Sequence, residues 1–576
     1  MATEIISTDL TSQYLVDGSD TLILNSGVSI AVSGADAIHT RSNLDSGISL
    51  ILLGQVTATG LASPGLGASA VFLGGTFTNG AFDPSHNSVT VGATGTLEAL
   101  GGFGIFSFGS ESTVSNFGTI DAVTGMVLRG GSNRIENAGV ISAADTGINI
   151  NGTGSASKGE MSLIHNSGTI QTGINPGLPA GNGWGIGVFE NWVSIVNDGI
   201  IAATHGIVSQ GRHMSVMNSG AIAATEGSAI SFQFGDGLLS NSGTLTSTGF
   251  FAAVSADGLE FTSTHGLAII NSGQITSEAW AVSGALKSMV NDGDVVGGLT
   301  GVSVTNSNRF TLTNSGLIEG SDYGVFQSLG LRSHITNFGV ISGMANSATP
   351  GFSISADQVF GIIENFGTLE GDVYLGLGRV ANHGTIIGDV TVLTGAVLNT
   401  GTIIGDVHLF EGRQLVSIAR YSAVAYGWVS GNIFGGFGKD HIIGGALSDR
   451  INGGVGDDLI FGFGGDDVLT GDLGHDRLTG GTGADLFVYT AATESDSTTG
   501  IDHITDFEVG TDRIDLSAFL SGAAFIGGAG FSGTGAEVRY NAISGRLSGD
   551  LDGDGAGDFT ILLVGAPALT AADLIL

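Results

Sequence analysis

Along most of the chain, apolar residues come in short runs that alternate with polar ones, and each run ends in a glycine-containing turn. Val216-Met217 and Ala268-Ile269-Ile270 are typical runs, each closed by an Asn-x-Gly phrase. The period of two predicts strands, and the turn residues predict tight corners. The Asn-x-Gly phrase starts at Asn25, Asn116, Asn137, Asn166, Asn197, Asn218, Asn241, Asn271, Asn291, Asn314, Asn337, Asn365, Asn382 and Asn399. From Asn116 onward the spacings run between 17 and 31 residues and settle at 17 over the last three phrases. That period is too short for a helical pair. It suits one coil of a parallel β-solenoid, with two or three strands per coil. Glycine supplies a positive φ at a corner, and asparagine tolerates it while offering an amide that can form a ladder from coil to coil. The expected architecture is all-β: a parallel β-solenoid (β-helix) over 101–420, a second repeat region over 421–490, and a β-rich cap over 491–576. Residues 1–100 fit the period poorly and read as a cap or as divergent repeats.

The second repeat is stricter. From Gly435 to Val488 the chain divides into six nonapeptides: GGFGKDHII, GGALSDRIN, GGVGDDLIF, GFGGDDVLT, GDLGHDRLT and GGTGADLFV. Position six is always aspartate: Asp440, Asp449, Asp458, Asp467, Asp476 and Asp485. Position eight is always large and apolar, from Ile442 to Phe487. A turn rich in glycine lets carbonyls point inward, and the aspartate adds a carboxylate. Hard oxygens of both kinds are what Ca2+ takes. The candidate Ca2+ residues are the six aspartates with Gly436, Gly438, Gly445, Gly454, Gly456, Gly465, Gly474 and Gly483. Three departures stand out. Leu447 replaces a position-four glycine, and Phe463 and Asp472 replace position-two glycines.

This pattern resembles the RTX calcium repeat. The resemblance implies a parallel β-roll with two nonapeptides per turn and calcium between next-but-one repeats. The implied pairs are Asp440 with Asp458, Asp449 with Asp467, Asp458 with Asp476, and Asp467 with Asp485. Tyr426–Phe434 reads as a degenerate seventh repeat joining solenoid to roll. Downstream come Asp502-His-Ile-Thr-Asp506-Phe, Gly510-Thr-Asp512-Arg-Ile-Asp515-Leu and the tail Asp573-Leu-Ile-Leu576. These resemble the C-terminal domain of serralysin-type secreted proteins. That likeness implies an uncleaved signal for the type I secretion machinery and an extracellular or surface location. No histidine is followed by glutamate, so the His-Glu-x-x-His zinc helix of those proteases is missing. Asp550, Asp552 and Asp554 imitate the start of an EF-hand loop, but its twelfth position is Ile561.

Charge narrows the partners. The formal net charge is -36, with lysine only at Lys158, Lys287 and Lys439. Residues 431–576 carry 22 acidic and 6 basic side chains. Such a chain does not bind nucleic acid by phosphate neutralisation, and its small partners are cations. There is no cysteine, hence no disulfide, and no stretch apolar enough to span a membrane. The N-terminus does not read as a signal peptide. Catalytic chemistry is sparse. Phe82-Asp83-Pro84-Ser85-His86 is similar to the Asp-Pro-His phrase of alginate epimerases, but serine intervenes, and it reads as a turn. Trp184, Trp192 and Trp280 are either sugar platforms or apolar fillers. Asp372, Asp389 and Asp406 should stack as an acidic stripe. The function expected is a structural or adhesive cell-surface or matrix protein whose roll folds on extracellular calcium, with polysaccharide or a cell surface as its partner. The alternatives are a β-helix polysaccharide lyase or epimerase, and a self-assembling surface layer.

Overall fold

The structure is a computed structural model. It describes residues 3–17, 20–40, 47–63, 66–73, 77–78, 81–82, 86–152, 161–173, 183–234, 236–256, 266–305, 307–328, 332–343, 351–409, 421–425, 428–429, 432–445, 447–496 and 500–576. The described chain is nearly all strand, with one short α-helix at Ser517–Leu520. It forms two compact units: residues 1–311 with 316–320, and residues 312–315 with 321–576.

In the first unit some coils carry one short and one long strand, such as Thr113–Asn116 with Thr119–Arg129, and others carry three short strands. One coil runs Val193–Asn197, Ile200–Ala203 and His205–Ser209; the next runs Met214–Asn218, Ala221–Ala224 and Ile230–Phe232. They pair in parallel, with Ile195 on Val216, Ile201 on Ile222 and Ile207 on Ile230. These six side chains point inward and are fully buried. Each such burial contributes about 1.5–3 kcal/mol, and it is realised only because a neighbouring coil covers it. Residues before Asn116 lie in the same register: Thr21–Leu24 pairs with Ser49–Leu52, which pairs with Ser88–Val91, which pairs with Thr113–Asn116.

From Asn116 on, the asparagine ending the first strand of a coil also points inward. Asn116 Nδ2 donates to Asn137 Oδ1 at 2.7 Å, and the chain of amides continues through Asn166, Asn197, Asn218, Asn241 and Asn271 to Asn291. The second unit has its own run through Asn314, Asn337, Asn365, Asn382 and Asn399. Glycine follows two residues later for a steric reason: a Cβ on Gly199 would strike the Gly168 carbonyl of the coil before.

In the second unit the 17-residue coils stack Val373 on Val390 on Val407. Val407 then pairs with Ile433, and Ile433 with Ile451, which carries the stack into the nonapeptides. Ile433 thus fills position eight of the degenerate repeat; Tyr426, Gly427, Ser430 and Gly431 of that stretch lie outside the described residues. Asp83, Pro84 and Ser85 do so too, while His86 bonds Glu111 at 2.6 Å.

The roll has two stacks, each with an 18-residue offset. One runs Ile433, Ile451, Leu469, Phe487; the other runs Ile442, Ile460, Leu478. Both continue into the cap, with Phe487 on Ile514 and Leu478 on Ile504. There the antiparallel strands Glu537–Asn541, Arg546–Asp550 and Phe559–Leu563 close the end, and Ile514 pairs with Leu574 near the chain terminus.

Candidate metal centre

The turns of the roll bring the position-six aspartates into one buried column on each side. All six are at most 6% exposed. Each backbone N–H donates to the carboxylate of the next-but-one repeat: Asp440 to Asp458 Oδ1 at 2.8 Å, Asp449 to Asp467 at 2.7 Å, Asp458 to Asp476 at 2.8 Å, and Asp467 to Asp485 at 2.9 Å. These are the pairs the nonapeptide offset implies.

The columns do not stop there. Asp476 N–H donates to Asp502 Oδ1 at 2.9 Å and Asp485 N–H to Asp512 Oδ1 at 3.0 Å. Asp502 and Asp512 are thus further rungs that the nonapeptide frame missed. The signal was present in Asp502-His-Ile504 and Asp512-Arg-Ile514, which repeat positions six to eight without the glycine-rich turn.

Oδ1 of Asp458, Asp467, Asp476 and Asp485 accepts the N–H of an earlier rung, but their second oxygens are buried without a hydrogen-bond partner. An uncompensated buried carboxylate is costly. Burial first, and then nearby carboxylates, push three rungs up: Asp458 to about 6 beside Asp457 and Asp472, Asp467 to about 7 between Asp449 and Asp485, and Asp476 to about 9 between Asp502 and Asp458. Asp502 is likewise raised by burial to about 8. Lys439 pairs with Asp457 at position five, not with a position-six carboxylate.

The glycines divide into two roles. Gly436, Gly454 and Gly481 at position two, and Gly438, Gly456, Gly465, Gly474 and Gly483 at position four, hold positive φ. Phe463 and Asp472 keep the position-two conformation, at φ 79° and 66°, without being glycine. The position-one glycines, absent from the sequence-based set, face the carboxylates: a Cβ on Gly435 would lie 2.8 Å from Asp440 Oδ2, and those on Gly453, Gly462, Gly471 and Gly480 would be closer still to their own aspartates. The Leu447 turn differs. There Gly445 N–H donates to Asp449 Oδ2 at 2.6 Å, so that oxygen is already occupied. Asp449 is still raised by burial, to about 6. Buried bare carboxylate oxygens, a cradle too tight for a Cβ and no basic partner form a donor set that fits Ca2+.

Residues 414–576 match the model of the serralysin C terminus of M10 peptidases. This stretch is a serralysin-like C-terminal domain. Serralysin C of Dickeya chrysanthemi is 37% identical over 89 residues, which is 15% of this chain and 18% of that protein. The chain therefore spans less than a fifth of the length of that relative. Two solved structures, the R3 and R2 subunits of the AlgE6 mannuronan C5-epimerase of Azotobacter vinelandii, are 34% and 33% identical. They cover 24% and 25% of this chain and 78% and 91% of their own, each with a TM-score of 0.20. The serralysin-like domain is an RTX-type, calcium-binding module of secreted proteins.

Elsewhere in the serralysin-like domain, Asp573 is buried at the tail. Burial acts to raise it, but hydrogen bonds from Thr570 and Gly510 outweigh this and hold it low. In the EF-hand-like loop, Asp550 is buried with both oxygens accepting N–H groups, from Gly553 and Gly555. Asp558, not Asp554, joins Asp550 and Asp552 in one cluster. In the 17-residue coils Asp372 Oδ1 accepts from Asp389 N–H at 2.9 Å, and Asp389 Oδ1 from Asp406 N–H at 2.7 Å, so the acidic stripe is tied rung to rung. His408 joins Asp389 and Asp406 and stacks on Phe434. In the first unit Trp184 packs on Phe189, Trp192 stacks on His213 with centroids 4.1 Å apart, and Trp280 is partly exposed. No helix among the described residues is long and apolar enough to cross a membrane.

Proposed function

We propose that this protein is exported and folds on extracellular calcium, and that its solenoid is a structural or adhesive element at the cell surface or in its matrix. The buried second oxygens of Asp458, Asp467, Asp476 and Asp485, which accept no hydrogen bond, carry the reading, because stacked carboxylates of this kind bind a divalent cation. Extracellular calcium modules bind at about 10⁻⁴–10⁻³ M, far above cytosolic calcium, so the roll stays open inside the cell and closes outside. The type I secretion machinery would read the tail around Asp573–Leu576 before closure. Long repeats and few cations favour a stalk or adhesin over a catalyst of acidic sugars. A calcium titration followed by circular dichroism and light scattering tests this. A gain of β signal in a monomer is expected. A rise in mass would instead mark a self-assembling layer, and no response would overturn the calcium reading.

One observation favours a second reading, a lyase or epimerase. Trp192 and His213 stack on neighbouring coils, Arg212 precedes His213, and Asp236 lies 4.0 Å from His213. An aromatic platform beside an acid/base pair and an arginine is what cleavage or epimerisation of a uronate needs. Incubation with alginate or pectate, read by unsaturated ends and by epimer ratio, tests it. Turnover that disappears in His213→Ala would establish an enzyme; no turnover leaves the adhesive reading standing.

A further inference from the structure

Where the roll meets the cap, two histidines face each other. His475 occupies position five of the fifth nonapeptide, and His503 lies on the cap strand that pairs with Arg477–Leu478. Their Nε2 atoms are 3.4 Å apart, with ring planes at 75°. Both side chains reach solvent: His475 is exposed and His503 half-buried.

Neither position is loose. His475 N–H donates to Asp457 Oδ1 at 3.2 Å, and His503 N–H to the Asp476 carbonyl at 2.8 Å. Gly500, at φ 131°, packs so closely that a Cβ there would lie 2.7 Å from His475 Cβ. The coil geometry therefore fixes both backbones and leaves only ring torsions to adjust. A direct N–H···N bond at 3.4 Å is long, beyond the roughly 2.7–3.2 Å of a good hydrogen bond, so the pair gains little from its own contact.

The separation matches a different bonding pattern. Zinc–imidazole bonds are about 2.0–2.1 Å, and two of them at a tetrahedral angle set their nitrogens roughly 3.4 Å apart. Imidazole is a ligand for Zn2+, Cu2+ and Ni2+, whereas Ca2+ takes oxygen. We propose that His475 and His503 form a two-histidine chelate for a divalent transition-metal ion, with water completing the shell, distinct from the calcium column. Such an ion links the fifth nonapeptide to the cap strand, and by binding only the closed form it stabilises the seam between roll and cap.

The test uses the full chain saturated with calcium and titrated with Cu2+. Electron paramagnetic resonance should show a site with two equivalent imidazole nitrogens. His475→Gln and His503→Gln should each weaken it at least tenfold, while His441→Gln, elsewhere on the roll, leaves it unchanged. Unchanged calcium-driven dichroism confirms that the variants still fold. A second measurement needs no variant: Zn2+ should protect His475 and His503 from diethyl pyrocarbonate, read by mass spectrometry. Unaltered affinity in either variant, a single-nitrogen spectrum, or equal labelling with and without Zn2+ would overturn the proposal.

Discussion

At the scale of single residues, the roll depends on where a Cβ can go. Gly462 has its own repeat's Asp467 carboxylate where a methyl would sit, whereas Gly530 faces open space. Gly462→Ala should raise the calcium concentration for half-folding by about tenfold, a cost near 1.4 kcal/mol, and Gly530→Ala should leave it unmoved. Calcium titrations of the two variants by circular dichroism check this. Phe463 is the reverse case. It holds φ 79°, which costs a non-glycine residue about 1–2 kcal/mol, and its side chain is half exposed. Phe463→Gly should therefore raise the melting temperature of the calcium-loaded protein. A fall would mean that its contact with Phe461 outweighs the strain. The sequence marked Phe463 and Asp472 as departures. It did not reveal that the turn keeps its shape around them, because backbone conformation is set by the coils on either side.

At the scale of the element, two ladders behave differently. The asparagine ladder is neutral. Each buried amide donates to the next, so the residue types alone made it legible. Asn197→Ala removes one rung, taking the best acceptor from Asn166 Nδ2 and the donor from Asn218 Oδ1. A loss of about 1–3 kcal/mol is expected, visible in denaturant unfolding of the solenoid. The aspartate ladder is charged, and its cost depends on pH. In the calcium-free roll, burial raises Asp458, Asp467 and Asp476 to about 6, 7 and 9. A carboxyl whose folded pKa lies above its unfolded value, about 3.9, supports the fold below that value and loses that support as pH rises through the folded one. Calcium-free protein should therefore show more roll signal at pH 5 than at pH 8.5. With calcium the order reverses, since protons and metal compete for the same oxygens, so the calcium midpoint should be higher at pH 5. Circular dichroism at the two pH values, with EGTA and with calcium, measures both. Six rungs were legible from their glycine-rich turns. Asp502 and Asp512 were not, because their turns come from longer loops whose only shared mark is an aspartate two residues before an isoleucine.

At the scale of the whole molecule, both units are acidic, with 23 acidic and 7 basic side chains in the first and 30 and 10 in the second, but the calcium chemistry concentrates in the second. The period and the Asn-x-Gly columns were enough to read the solenoid. The pairing of residues before Asn116 was not readable, because after Asn25 the repeated phrase does not return until Asn116 and only coil-on-coil contact reveals the register. The aspartate column also has a direction. Each N–H is held by a carboxylate further along the chain, 18 residues on within the repeats and 26 or 27 at the cap. Removing residues 491–576 should therefore abolish the calcium response of nonapeptides left otherwise intact, whereas replacing Asp440 by Asn should spare the later rungs. A rung acquires its anchor only once its successor is in place. That order predicts a roll that engages from the tail toward the head. A chain threaded through a pore tail-first could lock turn by turn as it emerged, and each closed turn would keep the polymer from sliding back.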